Sequence, residues 1–139
     1  MLRRLLLCAL VALIATPAWA ANVGVSIDLS EQRMRVSIDG AQRYAWPVST
    51  ARPGYRTPVG TFHPQRMYAE YYSLKYDMAP MPYAIFFYYG YAIHGTTEIA
   101  SLGRPVSHGC VRLHPDNARI LFDLVKRNGM ASTTIRIRP

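Results

Sequence analysis

The residues best suited to chemistry sit in one segment, Ile93 to Leu113, which reads IHGTTEIASLGRPVSHGCVRL. It holds Cys110 and two of the four histidines, His94 and His108. Attack on an amide carbonyl needs a thiolate, a base for its proton and donors for the developing oxyanion. Cys110 can supply the sulfur, and a neighbouring imidazolium would pull its pKa below the free value of about 8.5. His108, two residues earlier, would point the same way as Cys110 on a strand or brace a tight turn. His94 would have to reach across from another strand. On chemistry alone either histidine can serve as the base. The backbone N–H groups of Gly109 and Cys110 can form an oxyanion hole, because glycine permits the turn that aims them inward.

The rest of the sequence narrows the setting. Residues 1–20 read as a signal peptide. Arg3 and Arg4 precede an apolar run from Leu5 to Ile14, and Ala18-Trp19-Ala20 has the small-x-small form of a cleavage site. The run is too short to span a bilayer, which takes about 20 residues. Residues 21–139 are the right size for one domain. The second cysteine, Cys8, lies in the leader, so the exported chain is expected to keep one thiol and no internal disulfide. Idle thiols fare badly in oxidising compartments, which favours a working role for Cys110. The net charge of +8 suits polyanions. Export argues against nucleic acid, and the basic residues are scattered as on solvated strand faces.

A zinc site could draw on His94, His108, Cys110 and His114. However, no recurring C-x-x-C or H-x-x-x-H spacing supports it, and no metal is expected. His63 and His114 read as surface or capping residues. The tyrosine-rich stretch from Tyr68 to Tyr91 suits strand packing and core filling, or an aromatic wall or flap that holds glycan or stem peptide.

The elements that must position these groups are mostly strands. Val23, Val25, Ile27 and Leu29 alternate with other residues, as do Met34, Val36 and Ile38, which is the period of half-buried strands. Asp39-Gly40 is a tight-turn signal into a third strand near Arg43–Ser49, giving an antiparallel meander. Residues 51–60 form a Pro- and Gly-rich loop, Gly60–Met67 reads as extended, and residues 68–82 read as a long loop or flap. Tyr83–Tyr89 and Tyr91–His94 are strand-like. One helix starts at Pro115, with Ala118, Leu121, Phe122 and Val125 on one face and Gly129 as its stop. Thr133–Arg138 alternates again as a closing strand.

Ile93-His94-Gly95-Thr96 followed by Ser107-His108-Gly109-Cys110 resembles the signature of the YkuD-type L,D-transpeptidases. Thr57-Pro58-Val59-Gly60-Thr61-Phe62 is similar to that family's upstream T-P-x-G-x-F element. The resemblance covers about Val23 to Ile137. It implies a mainly β fold, a sandwich or barrel with one principal helix after the cysteine. It also implies a cysteine transpeptidase acting on bacterial cell-wall peptide in the periplasm, with no cofactor. Cys110 would be the nucleophile and His94 its base, the His94 tautomer being set by a backbone carbonyl near Gly95. Ser107 and His108 would shape the pocket, and the Gly109 and Cys110 N–H groups would face the oxyanion. The partners implied are peptidoglycan stem peptides and an amine acceptor, on a stem or on a protein, with carbapenems as acylating inhibitors.

The family often has Asn where this chain has Arg112. Arg112 either forks onto a substrate carboxylate or pairs with an internal acid. Arg104 is a further candidate for substrate contact. The competing readings are a hydrolase or a protein-to-wall attachment enzyme on the same scaffold, a sortase-like enzyme, and a non-catalytic wall-binding module.

Overall fold

The alternating segment at the start of the domain folds as it reads, and it becomes the centre of the larger sheet. In a computed structural model, which describes residues 17–139, β1 (Val23–Asp28) pairs antiparallel with β2 (Arg33–Ile38) and parallel with β11 (Thr133–Arg138). Residues 1–16, which carry most of the leader reading, lie outside the described residues. β3 (Ala41–Pro47) and β4 (Gly60–Phe62) complete a five-stranded sheet of order β3-β2-β1-β11-β4. The turn between β2 and β3 is Asp39-Gly40, with φ of 49° and 81°. This is the left-handed pair that a two-residue hairpin loop requires.

A second sheet of order β10-β9-β8-β5 comprises β5 (Arg66–Tyr68), β8 (Ala84–Tyr88), β9 (Tyr91–Gly95) and β10 (Val111–Leu113). The extended run expected from Gly60 to Met67 is therefore two strands, interrupted at His63-Pro64-Gln65, and its halves enter different sheets. The flap at 68–82 carries a small hairpin of its own, β6 (Tyr72–Ser73) with β7 (Ala79–Pro80).

Between the two sheets and the helix lies one core. Val23, Val25, Ile27, Met34, Val36, Ile135 and Ile137 meet Ile85, Phe87, Ile93, Val111 and Leu113 there. Helix α1 (Pro115–Asn128) packs against β9, β8 and β1. It buries Ala118, Leu121, Phe122, Leu124 and Val125. Its start is capped by His114, whose Nδ1 accepts the Asp116 N–H at 3.1 Å, and the Gly129 N–H closes its end on the Val125 carbonyl at 2.8 Å. Among the described residues the fold is mainly β with one α-helix, as the sequence implies.

The opposite face of the second sheet has a smaller cluster of its own. Met81, Ala84, Phe86 and Ala92 gather there with Tyr71 and Cys110. Strand alternation thus sends Ile93 and Val111 into the main core and their neighbours outward, under the flap.

Candidate active site

β9 and β10 run parallel with Ile93 opposite Val111 and His94 opposite Arg112. Period two then places Ala92, His94, Cys110 and Arg112 on one face. Cys110 precedes β10 directly, and its Sγ accepts the Ala92 N–H at 3.4 Å and lies 3.9 Å from the Gly90 carbonyl. Cys110 is thus set diagonally from His94 across the two strands. Both line a cavity of about 620 Å³ roofed by the flap hairpin, with Tyr91, His108 and Arg112 among its walls.

His94 is buried, and its Nδ1 lies 2.6 Å from the Gly95 carbonyl. A carbonyl only accepts, so Nδ1 carries the proton and Nε2 keeps a lone pair. Burial pushes the imidazole down to about 4; the Gly95 bond opposes the shift and the Arg112 charge adds to it. Burial also pushes the Cys110 thiol up from its ordinary value, against the Ala92 N–H and the charges of Arg112 and Lys75. Burial thus favours the neutral forms of both groups, against the thiolate beside an imidazolium expected from sequence. The cause is desolvation, which penalises both charged forms.

The loop before Cys110 is fastened from several sides. Ser107 is fully buried. Its Oγ donates to the Cys110 carbonyl at 2.6 Å and accepts the Gly109 N–H at 3.0 Å. That commits the Gly109 N–H to the loop, away from the oxyanion role expected of it. Thr57, from the T-P-x-G-x-F element, donates to the Gly109 carbonyl at 2.8 Å and accepts the Ala51 N–H at 3.0 Å.

Gly109 itself has φ +134°, and a Cβ there would lie 2.6 Å from Tyr91 Cε1 and 2.9 Å from the Arg56 carbonyl. Gly109→Ala is expected to cost on the order of 3 kcal/mol, from strain plus overlap with backbone. A urea titration checks it, and an unchanged midpoint would contradict this picture of the loop. Gly95 is a packing position in the same sense. A Cβ there would meet Pro82 Cγ at 3.0 Å and Pro115 Cα at 3.2 Å. It contributes its carbonyl to His94 and does not line the cavity.

His108 forms part of the wall, with its ring stacked on Tyr76 of the flap at 4.4 Å and 8° and edge-on to Tyr55 at 4.8 Å. Burial lowers its pKa, helped by Arg52, Arg112 and Lys75 and opposed by Glu98. Arg112 donates from Nη1 to Glu98 Oε2 at 3.2 Å, and its backbone exchanges hydrogen bonds with Ser49 at 2.8 and 3.0 Å.

Residues 22–137 match the family profile described as YkuD, L,D-transpeptidase catalytic domain. The chain belongs to the YkuD L,D-transpeptidase family. It is 29% identical over 126 residues to the Salmonella typhimurium protein named "Probable L,D-transpeptidase ErfK/SrfK", covering 73% of this chain and 41% of that protein. An L,D-transpeptidase from Mycobacterium smegmatis superposes with a TM-score of 0.75 at 26% identity, over 86% of this chain and 59% of that one. L,D-transpeptidase 3 from Mycobacterium tuberculosis, solved with a faropenem-derived adduct, shares the fold. Its TM-score is 0.74 at 21% identity, over 86% of this chain and 61% of that one. The chain thus spans less than two thirds of the length of each of these relatives.

Within this YkuD domain, one expected substrate residue falls elsewhere. Arg104 is exposed and does not line the cavity. Its carbonyl accepts the Ser49 Oγ at 2.7 Å, which turns the residue into part of the loop's anchorage. His63 Nδ1 lies 2.8 Å from the Thr133 carbonyl, and His114 caps the helix, so neither is at the site. The flap brings in Lys75 and Asp77, which sequence reasoning did not single out, beside Tyr76 of the tyrosine-rich stretch. Lys75, Tyr76 and Asp77 line the cavity, and Lys75 Nζ sits 5.4 Å from the Tyr76 ring centre. The only signal of Lys75 and Asp77 in the sequence is a run of polar and aromatic residues before Pro80.

Proposed function

We propose that this domain is an exported L,D-transpeptidase. It would acylate Cys110 with a peptidoglycan tetrapeptide stem, release D-Ala and pass the acyl group to an amine, forming a cell-wall cross-link. The observation that carries this reading is the shared cavity of Cys110 and His94, with His94 Nδ1 tied to the Gly95 carbonyl so that its basic nitrogen is Nε2. Acceptance of carbapenems as acylating inhibitors follows from the same chemistry. It is supported by the family membership and, for β-lactams as a class, by the mycobacterial relative that carries a faropenem-derived adduct.

The steps balance on these groups. As Sγ bonds to the carbonyl carbon of the third stem residue, its proton passes to Nε2 of His94. The carbonyl oxygen becomes an oxyanion, with the Cys110 N–H as a donor. Collapse breaks the C–N bond, and the departing D-Ala amine takes the proton from His94, leaving a thioester. The acceptor amine then attacks the thioester carbon and gives its proton to Nε2. The C–S bond breaks, and the sulfur recovers that proton. A neutral resting pair suits this course, since the base is unprotonated whenever a substrate arrives.

Arg112 stands opposite His94 and close enough to the sulfur to weigh on its titration. Its pairing with an exposed Glu98 leaves it able to exchange that partner for a substrate carboxylate. The test is to incubate the protein with tetrapeptide stems and analyse the products by mass spectrometry. Cross-linked dimers lacking one D-Ala support transfer. Trimmed stems alone would point to hydrolysis, and unchanged stems would overturn the reading.

A further inference from the structure

Tyr91 of the β8–β9 hairpin packs against the main core and Tyr88 against Phe62, yet Tyr88 and Tyr89 stay largely exposed. Tyr91 lines the catalytic cavity. Tyr88 stacks on it with ring centres 6.3 Å apart and planes at 23°. Tyr89 meets Tyr88 edge-on at 4.6 Å. The three rings form a continuous path from the cavity wall to the surface, and Tyr88 and Tyr89 are 40% and 73% exposed. The hairpin is joined to the reacting sulfur, since the Gly90 carbonyl lies 3.9 Å from Cys110 Sγ.

Tyr89 also occupies a costly position. Its φ is +44°, in the left-handed region where Asn, Asp or Gly is favoured and a bulky residue is an outlier. Such strain is held only where the surroundings over-determine it. Here Arg66 Nη2 grips the Tyr89 carbonyl at 3.1 Å, while its guanidinium lies 4.2 Å from the Phe86 ring centre. A large ring is thus fixed at a strained turn and left in water, beside an acyl-transfer site.

We propose that Tyr91, Tyr88 and Tyr89 form an aromatic track that binds a pyranose ring of the glycan to which the stem peptide is attached. This rests on the L,D-transpeptidase reading and names the part of the substrate that the cavity does not hold. The ligand chemistry follows from the residue type. A pyranose presents a C–H face that packs on an aromatic ring and hydroxyls that stay hydrated, and a phenol has both an apolar body and a polar tip. A purely apolar partner would be served as well by leucine or isoleucine. The outward course of the rings matches a ligand anchored at Cys110 and leading away from it.

The test compares the wild type with Tyr89→Asn, which puts a residue suited to positive φ at the turn and so preserves folding. Two readouts are taken. The first is the ratio of kcat/KM for a disaccharide-tetrapeptide to that for the glycan-free tetrapeptide. The second is direct binding of an N-acetylglucosamine oligomer, followed by NMR shifts.

Tyr89→Asn is expected to lower the ratio by about two- to tenfold, the scale of one aromatic contact, and to weaken oligomer binding alike. Tyr89→Phe is expected to keep most of both. A ratio and an oligomer affinity equal to wild type would overturn the track. Failure of the transpeptidase reading looks different: oligomer binding would remain sensitive to Tyr89 while neither peptide substrate is converted.

Discussion

With Cys110 replaced by alanine, a carbapenem is expected to leave the intact mass of the protein unchanged, while the wild type gains a single adduct. Transfer from tetrapeptide stems is expected to fall by about 10⁴-fold or more, the scale seen when an enzyme loses its nucleophile. The fold should barely notice. Cys110 belongs to the small outer cluster with Met81, Ala84, Phe86 and Ala92, apart from the main core. Loss of one sulfur atom there costs on the order of 1 kcal/mol.

The wild-type thiol carries a second expected result. Because burial holds its pKa above the ordinary value, alkylation by iodoacetamide should still be climbing at pH 9. A thiolate held by an imidazolium would instead react at a constant rate from mildly acid pH upward. A plateau of that kind would refute the neutral pair.

His94→Gln is expected to slow acylation by about 10²- to 10⁴-fold, the usual contribution of a positioned base. The glutamine amide can still donate to the Gly95 carbonyl, so the change removes the basic nitrogen and keeps much of the packing. The same variant tests the electrostatics through stability. In the folded protein His94 titrates at about 4, below its ordinary 6.5. Between those values the unfolded chain binds a proton that the folded one refuses. Stability is therefore full above pH 6.5 and falls as the pH drops toward 4, by about 3 kcal/mol in all. His94→Gln should lose this component, so its Tm should decline less than that of the wild type between pH 7 and pH 4. Parallel Tm curves would show that His94 is not held neutral by burial. The rate profile agrees in sign, because protonation of His94 removes the base only in strongly acid solution.

Much of the architecture is legible in the amino-acid sequence. Val23, Val25 and Ile27 alternate because one face of β1 is buried, and Pro115, Asp116 and Gly129 punctuate the helix for local reasons. Local rules do not reach β10. Three residues, Val111 to Leu113, are too few for periodicity, yet this strand sets the Cys110–His94 diagonal. The segment from Ile93 to Leu113 shows which groups have chemistry but not their state of charge. Burial of His94 and Cys110 arises from the flap and the outer cluster, which are tertiary. Commitment of the Gly109 N–H to Ser107 is likewise a property of the closed loop. Arg104 misleads for a related reason: proximity in sequence to the motif says nothing about which way a side chain leaves an anchored turn.

The parallel pairing of β1 with β11 has a consequence for how the molecule is made. The central strand of the larger sheet lacks one neighbour until the chain has been produced almost to residue 138. Contacts so distant along the chain close late and at a large entropic cost. The larger sheet therefore cannot close around β1 until its final strand is available. Cutting away Thr133–Arg138 would open the middle of that sheet and leave β1 and β4 without a partner between them.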